Sequence, residues 1–251
     1  MADPSQTSPT FRDATLRDAD FTNATIRGGQ FRGLRVTDAW LVDVDLSGMV
    51  RNLTVNGVDV TAFVQAEMDR SLPERALIRS MSTADSCRAG WEAVERVWGD
   101  TIARARLLGA GVEHEHVRDE WSLIETIRHL VFVVDAWAQR TILGLQWPFH
   151  ALGWPHTPYP REQARAIGLD LTRNPTLDEV VEAWSDRCEV MRRIVADLRD
   201  QDLQRICTLT PAPGYPEDEE RTVGLCLRVG MDELLEHSAY ANRDLDALAT
   251  G

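Results

Sequence analysis

The sequence predicts a mainly α-helical protein, a four-helix bundle with a short repeat module in front of it. Two observations carry the prediction. Four helix-length segments between residues 85 and 248 hold apolar side chains at helical spacing, and two of them open with capping boxes. Ahead of them, large apolar residues recur every five positions from Phe11 to Leu46 without a slip. A fixed short period is the mark of a solenoid. The expected organisation is a disordered lead-in over 1–9, the repeat and a capping strand over 10–64, and the bundle over 65–251.

The repeat positions are Phe11, Leu16, Phe21, Ile26, Phe31, Val36, Leu41 and Leu46. Two positions before each of the last seven stands a small or aliphatic residue: Ala14, Ala19, Ala24, Gly29, Leu34, Ala39 and Val44. Neither a helix nor a flat strand repeats at five. The eight units resemble the pentapeptide-repeat family. That resemblance implies a right-handed quadrilateral β-helix of about two coils, with both marked positions pointing inward. Strands stacked ~4.8 Å apart make it a stub roughly 10 Å tall. Such a stub suits a structural cap or an interaction module and is too short to mimic DNA alone. Val55-Asn56-Gly57-Val58 carries a hairpin turn signal and is expected to add a last strand.

The first long helix is expected from Asp85 to Leu108, with Cys87, Trp91, Val94, Trp98, Ile102 and Ala105 on its apolar face, and ends at Gly109-Ala110-Gly111. The second opens with Ser122 and Glu125 and runs to Leu143 before Gly144. The third opens with Thr176 and Glu179 and runs to Leu198. The fourth follows Thr222 and runs to Leu248. Four such helices suffice for a bundle whose inward positions can hold a metal. Between the second and third lie about thirty residues, rich in proline and carrying Trp147, His150, Trp154, His156 and Tyr159. A loop so long is functional or disordered, and its aromatics favour an ordered cover. The later acidic stretch, Glu217 to Glu220, reads as a solvated lead into a helix N-terminus.

Composition removes several function classes. The net charge of -13 argues against a nucleic-acid surface. No apolar run reaches the ~18 residues of a membrane span, and the N-terminus has no secretory pattern. The four cysteines (Cys87, Cys188, Cys207, Cys226) form no CxxC pair and read as buried thiols of a reducing cytoplasm. The chain has no Lys, so Schiff-base chemistry and a Walker-type phosphate loop are excluded. An all-Arg basic complement also suggests a GC-rich, actinobacterial source.

Glu233 and His237 stand four apart in Asp232-Glu233-Leu234-Leu235-Glu236-His237, which puts both on one helix face, one turn apart. A carboxylate and an imidazole so placed can share a divalent ion. The best third ligand is His129. Its segment, Trp121-Ser122-x-x-Glu125-x-x-x-His129-Leu130 with Asp135 and Trp137 beyond, resembles the second helix of the DinB superfamily. Glu233-x-x-x-His237 resembles the metal half-site on that family's fourth helix, in the form found in the branch of mycothiol-dependent maleylpyruvate isomerase. The resemblance spans roughly residues 82–249 and implies His129, Glu233 and His237 as ligands. In that branch a Trp-Asp-Leu group directly follows the second ligand; here Asp244-Leu245 comes later, so the isomerase's substrate does not carry over.

Two imidazoles and a carboxylate leave an open fourth position on Zn²⁺, the pattern of a catalytic site; Fe²⁺ or Ni²⁺ also suit the set. Asp135, His150, His156, Arg243 and Asp244 are candidates to orient the ligands or act in catalysis. Trp121, Trp147, Trp154 and Tyr240 are expected to wall a substrate pocket. His114 and His116 read as exposed, and Cys226 is too far from Glu233 to share its ion. The resemblance implies a cytoplasmic thiol S-transferase or thiol-assisted isomerase that uses a thiol such as mycothiol on a small electrophile, with a homodimer in keeping. Two alternatives stand beside it: a metalloenzyme without thiol, a hydrolase or cyclase, and a non-catalytic scaffold recruiting a partner through the repeat.

Overall fold

A computed structural model describes residues 10–26, 29–48, 50–118, 120–156, 159–208, 210, 212–217 and 219–250. The expected lead-in over 1–9 lies outside the described residues. The chain divides into two compact units, Met1–Asp43 and Val44–Gly251.

In the first unit the period of five is written into the backbone. Asp13, Asp18, Asn23, Gly33, Asp38 and Asp43 all take positive φ, and Asp, Asn and Gly are the residues that tolerate it. Tight turns close between Phe11 O and Ala14 N at 3.1 Å and between Phe21 O and Ala24 N at 3.0 Å. At Gly29 a Cβ would stand 2.8 Å from the Phe31 ring, so this one unit has no room for a side chain there. The expected β-helix is not seen. Among the described residues no strand precedes Thr54, and the large apolar residues at the repeat positions from Phe11 to Leu41 stay 54–66% exposed. A physical reason is length: in so short a repeat every unit lies at an end and lacks a neighbour to bury it.

The second unit begins with the expected hairpin. β1 (Thr54–Val55) pairs antiparallel with β2 (Val58–Asp59). Asn56 and Gly57 both take positive φ, as a primed two-residue turn requires. Two helices not anticipated from the sequence follow, α1 (Thr61–Ser71) and α2 (Glu74–Arg79). The bundle is α3 (Ala84–Leu108), α4 (Leu123–Val134), α6 (Leu177–Asp197) and α7 (Val223–Thr250), with the short α5 (Arg161–Ala166) between α4 and α6. Capping boxes at Ser122–Glu125 and Thr176–Glu179 form as expected, and a further one joins Thr83 and Ser86.

α4 does not stop at Val134. It widens into a π-helix over Asp135–Ile142, in which Leu143 N–H reaches back five residues to the Ala138 carbonyl at 3.0 Å. Such widenings often mark functional positions. The core is a continuous cluster that includes Trp91, Trp98 and Trp184, with Trp184 6.2 and 6.5 Å from the other two. Trp98 Nε1 also donates to the Leu234 carbonyl at 2.9 Å. That bond ties α3 to α7 next to Glu233. No described helix is long and apolar enough to cross a membrane.

One buried cation holds Leu152, Asp170 and Arg173 of the connection from Leu145 to Pro175. Arg128, 3% exposed on α4, donates Nε to Leu152 O at 2.8 Å, Nη2 to Asp170 O at 2.9 Å and Nη1 to Arg173 O at 3.0 Å. Its guanidinium lies 4.5 Å from the Trp154 ring centre. Burial lowers its pKa from the ordinary arginine value, yet the three carbonyls supply the dipoles that a buried charge needs.

Candidate metal centre

α4 contributes His129 and α7 contributes Glu233 and His237. One ligand atom from each lies within 4.8 Å of the other two, close enough to share a single ion. His129 is buried, whereas Glu233 and His237 are only half-buried. The group therefore keeps one side toward solvent.

The hydrogen bonds decide which atoms face the centre. His129 Nδ1 lies 2.8 Å from the Trp154 carbonyl. A carbonyl can only accept, so Nδ1 carries the proton. Nε2 then points at Glu233 Oε1, 3.2 Å away. A neutral imidazole in that tautomer turns a lone pair toward a carboxylate. The contact calls for a shared cation, whether a proton on Nε2 or a metal ion between them. Backbone carbonyls orient metal-bound histidines in this way. The second carboxylate oxygen accepts from Trp137 Nε1 at 3.3 Å, which leaves Oε1 for the centre. The donor set therefore fits a divalent ion of zinc type.

Electrostatics agree with the geometry. Burial pushes the Glu233 carboxyl up, but the His129 hydrogen bond, the neighbouring His129 and His237 imidazoles and the Trp137 indole together bring it below its ordinary value. It is a carboxylate at neutral pH. Burial, with His129 beside it, holds His237 down to about 3, so this imidazole is neutral with its lone pair available.

The aromatic candidates divide. Trp121 stacks on His237 at 5.7 Å and lies 4.9 Å from His129. Tyr240 meets the edge of His237 at 5.9 Å. Trp154 serves through its carbonyl while its ring covers Arg128. Trp147 is 63% exposed and is not brought to the triad.

The expected orienting residues divide as well. Asp135 is wholly buried; it takes Arg187 Nε at 2.9 Å and Nη2 at 3.3 Å, the His150 backbone N–H at 2.8 Å, and Gln139. Burial lifts its carboxyl to about 6 against those partners. It anchors α6 and the start of the long loop and does not touch a ligand. The His150 ring accepts from Leu152 N–H at 3.2 Å. Arg243 pairs with Asp244 at 2.7 Å and lies over Tyr240 at 5.6 Å. His156 packs against Tyr215 at 4.5 Å and Phe132 at 6.3 Å. Burial lowers its pKa, with His129 adding to the effect and Glu233 opposing it.

Sequence reasoning assigned no role to Trp137, Arg128, Arg187 or Tyr215. Trp137 alone left a signal, at i+8 from His129 on the same stripe of a helix. His116 is exposed and bonded to the Glu120 carbonyl at 2.7 Å.

No curated protein and no solved structure matches the chain. Residues 93–241 match the model of the DinB superfamily. That stretch runs from Ala93 on α3 to Ala241 on α7, carries all three residues of the metal centre and covers more than half of the 251 residues; the chain belongs to the DinB superfamily.

Proposed function

We propose that the chain is a metal-dependent DinB-type enzyme, a thiol S-transferase or thiol-assisted isomerase acting on a small electrophile. The observation that carries this reading is the convergence of His129, Glu233 and His237 with the tautomer of His129 set by the Trp154 carbonyl. A divalent ion held there would supply Lewis acidity to a thiol or a water reaching its open side.

The protein's own groups divide the remaining work. Trp137 keeps one Glu233 oxygen occupied and turns the other inward. Trp121 and Tyr240 flank His237 and exclude water from that side of the centre. His156 packs on Phe132, which also stacks on His129, burial lowers its pKa, and we assign it the task of accepting the thiol proton. The thiol is of the mycothiol class, as the sequence resemblance implies. We read residues 10–48 as a pentapeptide-repeat module whose exposed Trp40 and Val42 serve contact rather than chemistry.

The test is metal analysis of protein purified without chelator, followed by turnover of an electrophile with and without added thiol. About one divalent ion per chain is expected, falling by at least ~10-fold in His237→Ala. Less than about a tenth of an equivalent in the wild type removes the reading. Metal-dependent turnover without any thiol replaces it with a hydrolase or cyclase.

A further inference from the structure

Two of the four cysteines, distant in sequence and outside the metal centre, meet in the fold. Cys207 Sγ and Cys226 Sγ are 3.9 Å apart. Cys207 follows the bridge between Ile206 and Thr222, and its N–H bonds to Arg221 O at 2.8 Å. Cys226 sits in the first turn of α7, its N–H on Thr222 O at 3.1 Å. The two sulfurs thus stand at the two ends of the segment 208–225. That segment bears Tyr215, which packs on Phe132, His156 and the edge of Trp137, whose indole holds Glu233.

We propose that Cys207 and Cys226 are an oxidisable thiol pair whose reversible disulfide locks the base of the strap carrying Tyr215. The separation exceeds the ~2.05 Å of a disulfide by less than the reach of two side-chain rotations. Cys207 and Cys226 are 4% and 0% exposed, so the oxidant must be small, and hydrogen peroxide fits. A cavity lined by Trp137, Met191, Cys226 and Leu234 reaches the Cys226 side.

The two thiols are not equivalent. Either sulfur can donate in the contact between them; with Cys226 donating, Cys207 is held below the ordinary thiol range, burial opposing this and Arg205 and Arg221 favouring the thiolate. Cys226 is pushed up as the donor. In that arrangement Cys207 is the attacking sulfur. Its thiolate takes one peroxide oxygen as the O–O bond breaks; the departing hydroxide collects a proton and leaves as water. The sulfur, now a sulfenic acid, has lost two electrons to the peroxide. Cys226 gives up its proton and attacks that sulfur, the S–S bond forms, and the S–O oxygen leaves as a second water. Two thiols and one peroxide yield one disulfide and two waters. By contrast, Cys87 and Cys188 are pushed up by burial, Cys188 to about 12, and stay protonated.

The test uses the full chain, treated with hydrogen peroxide, quenched with catalase, denatured in an alkylating reagent and mapped by mass. Free thiols are expected to fall from four to two per chain, with one peptide linking Cys207 to Cys226 and full recovery in dithiothreitol. Cys226→Ser should leave a sulfenic acid at Cys207 that dimedone traps. Should that variant not fold, trypsin cleavage after Arg221 supplies the second readout, and oxidation of the wild type should slow it. Four free thiols after excess peroxide, a cross-link between other cysteines, or over-oxidised Cys207 without a cross-link would each overturn the proposal.

Discussion

Replacing Arg128 with Met should unfix the metal centre without touching a ligand. The side chain is buried and makes three charge-assisted hydrogen bonds, at 2.8, 2.9 and 3.0 Å, to carbonyls of the loop between α4 and α6. Each such bond contributes on the order of 1.5–3 kcal/mol taken singly. Their plain sum overshoots, because Met also relieves the cost of burying a cation and the released carbonyls can reach water. A net loss of about 3–4 kcal/mol is expected, the range for breaking a buried charged cluster. Urea unfolding followed by tryptophan fluorescence reads it as a lower midpoint at unchanged slope. The functional consequence travels through Trp154. Its N–H rests on the Arg128 carbonyl at 3.1 Å and its own carbonyl fixes His129. Loosening the loop frees His129 Nδ1, and Zn²⁺ affinity measured by chelator competition should fall ~10-fold or more. Arg128→Lys should recover less than half of either loss, since one ammonium cannot span three carbonyls in a fixed fork. A stability loss under about 1 kcal/mol, with metal affinity unchanged, would refute the claim that this cation organises the loop.

Two further predictions concern single side chains. Trp137→Phe keeps an aromatic ring at the position and deletes the N–H that donates to Glu233 at 3.3 Å; metal affinity should weaken ~10-fold, about 1.4 kcal/mol, and unchanged affinity in the same competition assay would exclude that role. Asp135 supplies a pH signature. Its folded carboxyl is raised to about 6, chiefly by burial, so the fold holds a proton that the unfolded chain releases near 3.8. The contribution is fully present below the unfolded value and is lost as pH rises through the folded one. Relative to Asp135→Asn, the wild type should therefore lose on the order of 3 kcal/mol between pH 4 and pH 7. Urea unfolding of both proteins at each pH measures the difference, and a flat difference would contradict the burial argument.

Spacing pointed to Glu233 and His237 as candidate ligands because helix geometry is local, while His129 came with the family resemblance of its segment. Glu233 and His237 share a face by arithmetic alone, and α4 and α7 then needed only to be neighbours in the bundle. The four long helices were legible for the same reason, since periodicity and capping boxes depend on residues within a few positions. Contacts made across the fold leave no such trace. Arg128 sits in the apolar run Ile127 to Val134, and nothing in that run says that its charge would meet loop carbonyls of residues 152, 170 and 173. Trp154 works through its backbone, so side-chain identity could not announce the role. Cys207 and Cys226 likewise met only because the strap between them folds back on its own base.

The repeat shows where periodicity misleads. The period of five reappears in the turns, because each turn needs one residue that tolerates positive φ, and Asp, Asn or Gly stands at those points from Asp13 to Asp43. It did not secure a core. Burial in a solenoid comes from the next coil, and a stack of eight units has too few coils to cover Phe11, Phe21 or Phe31, which remain more than half exposed. In the bundle the same kind of local pattern succeeds because four amphipathic faces close on one another. Trp91, Trp98, Leu234 and Leu235 are each at most 1% exposed. Their packing, with the Trp98 bond to the Leu234 carbonyl, holds the α7 backbone beside Glu233. A half-buried carboxylate can then face an imidazole at 3.2 Å because its backbone is fixed by a core that it does not enter.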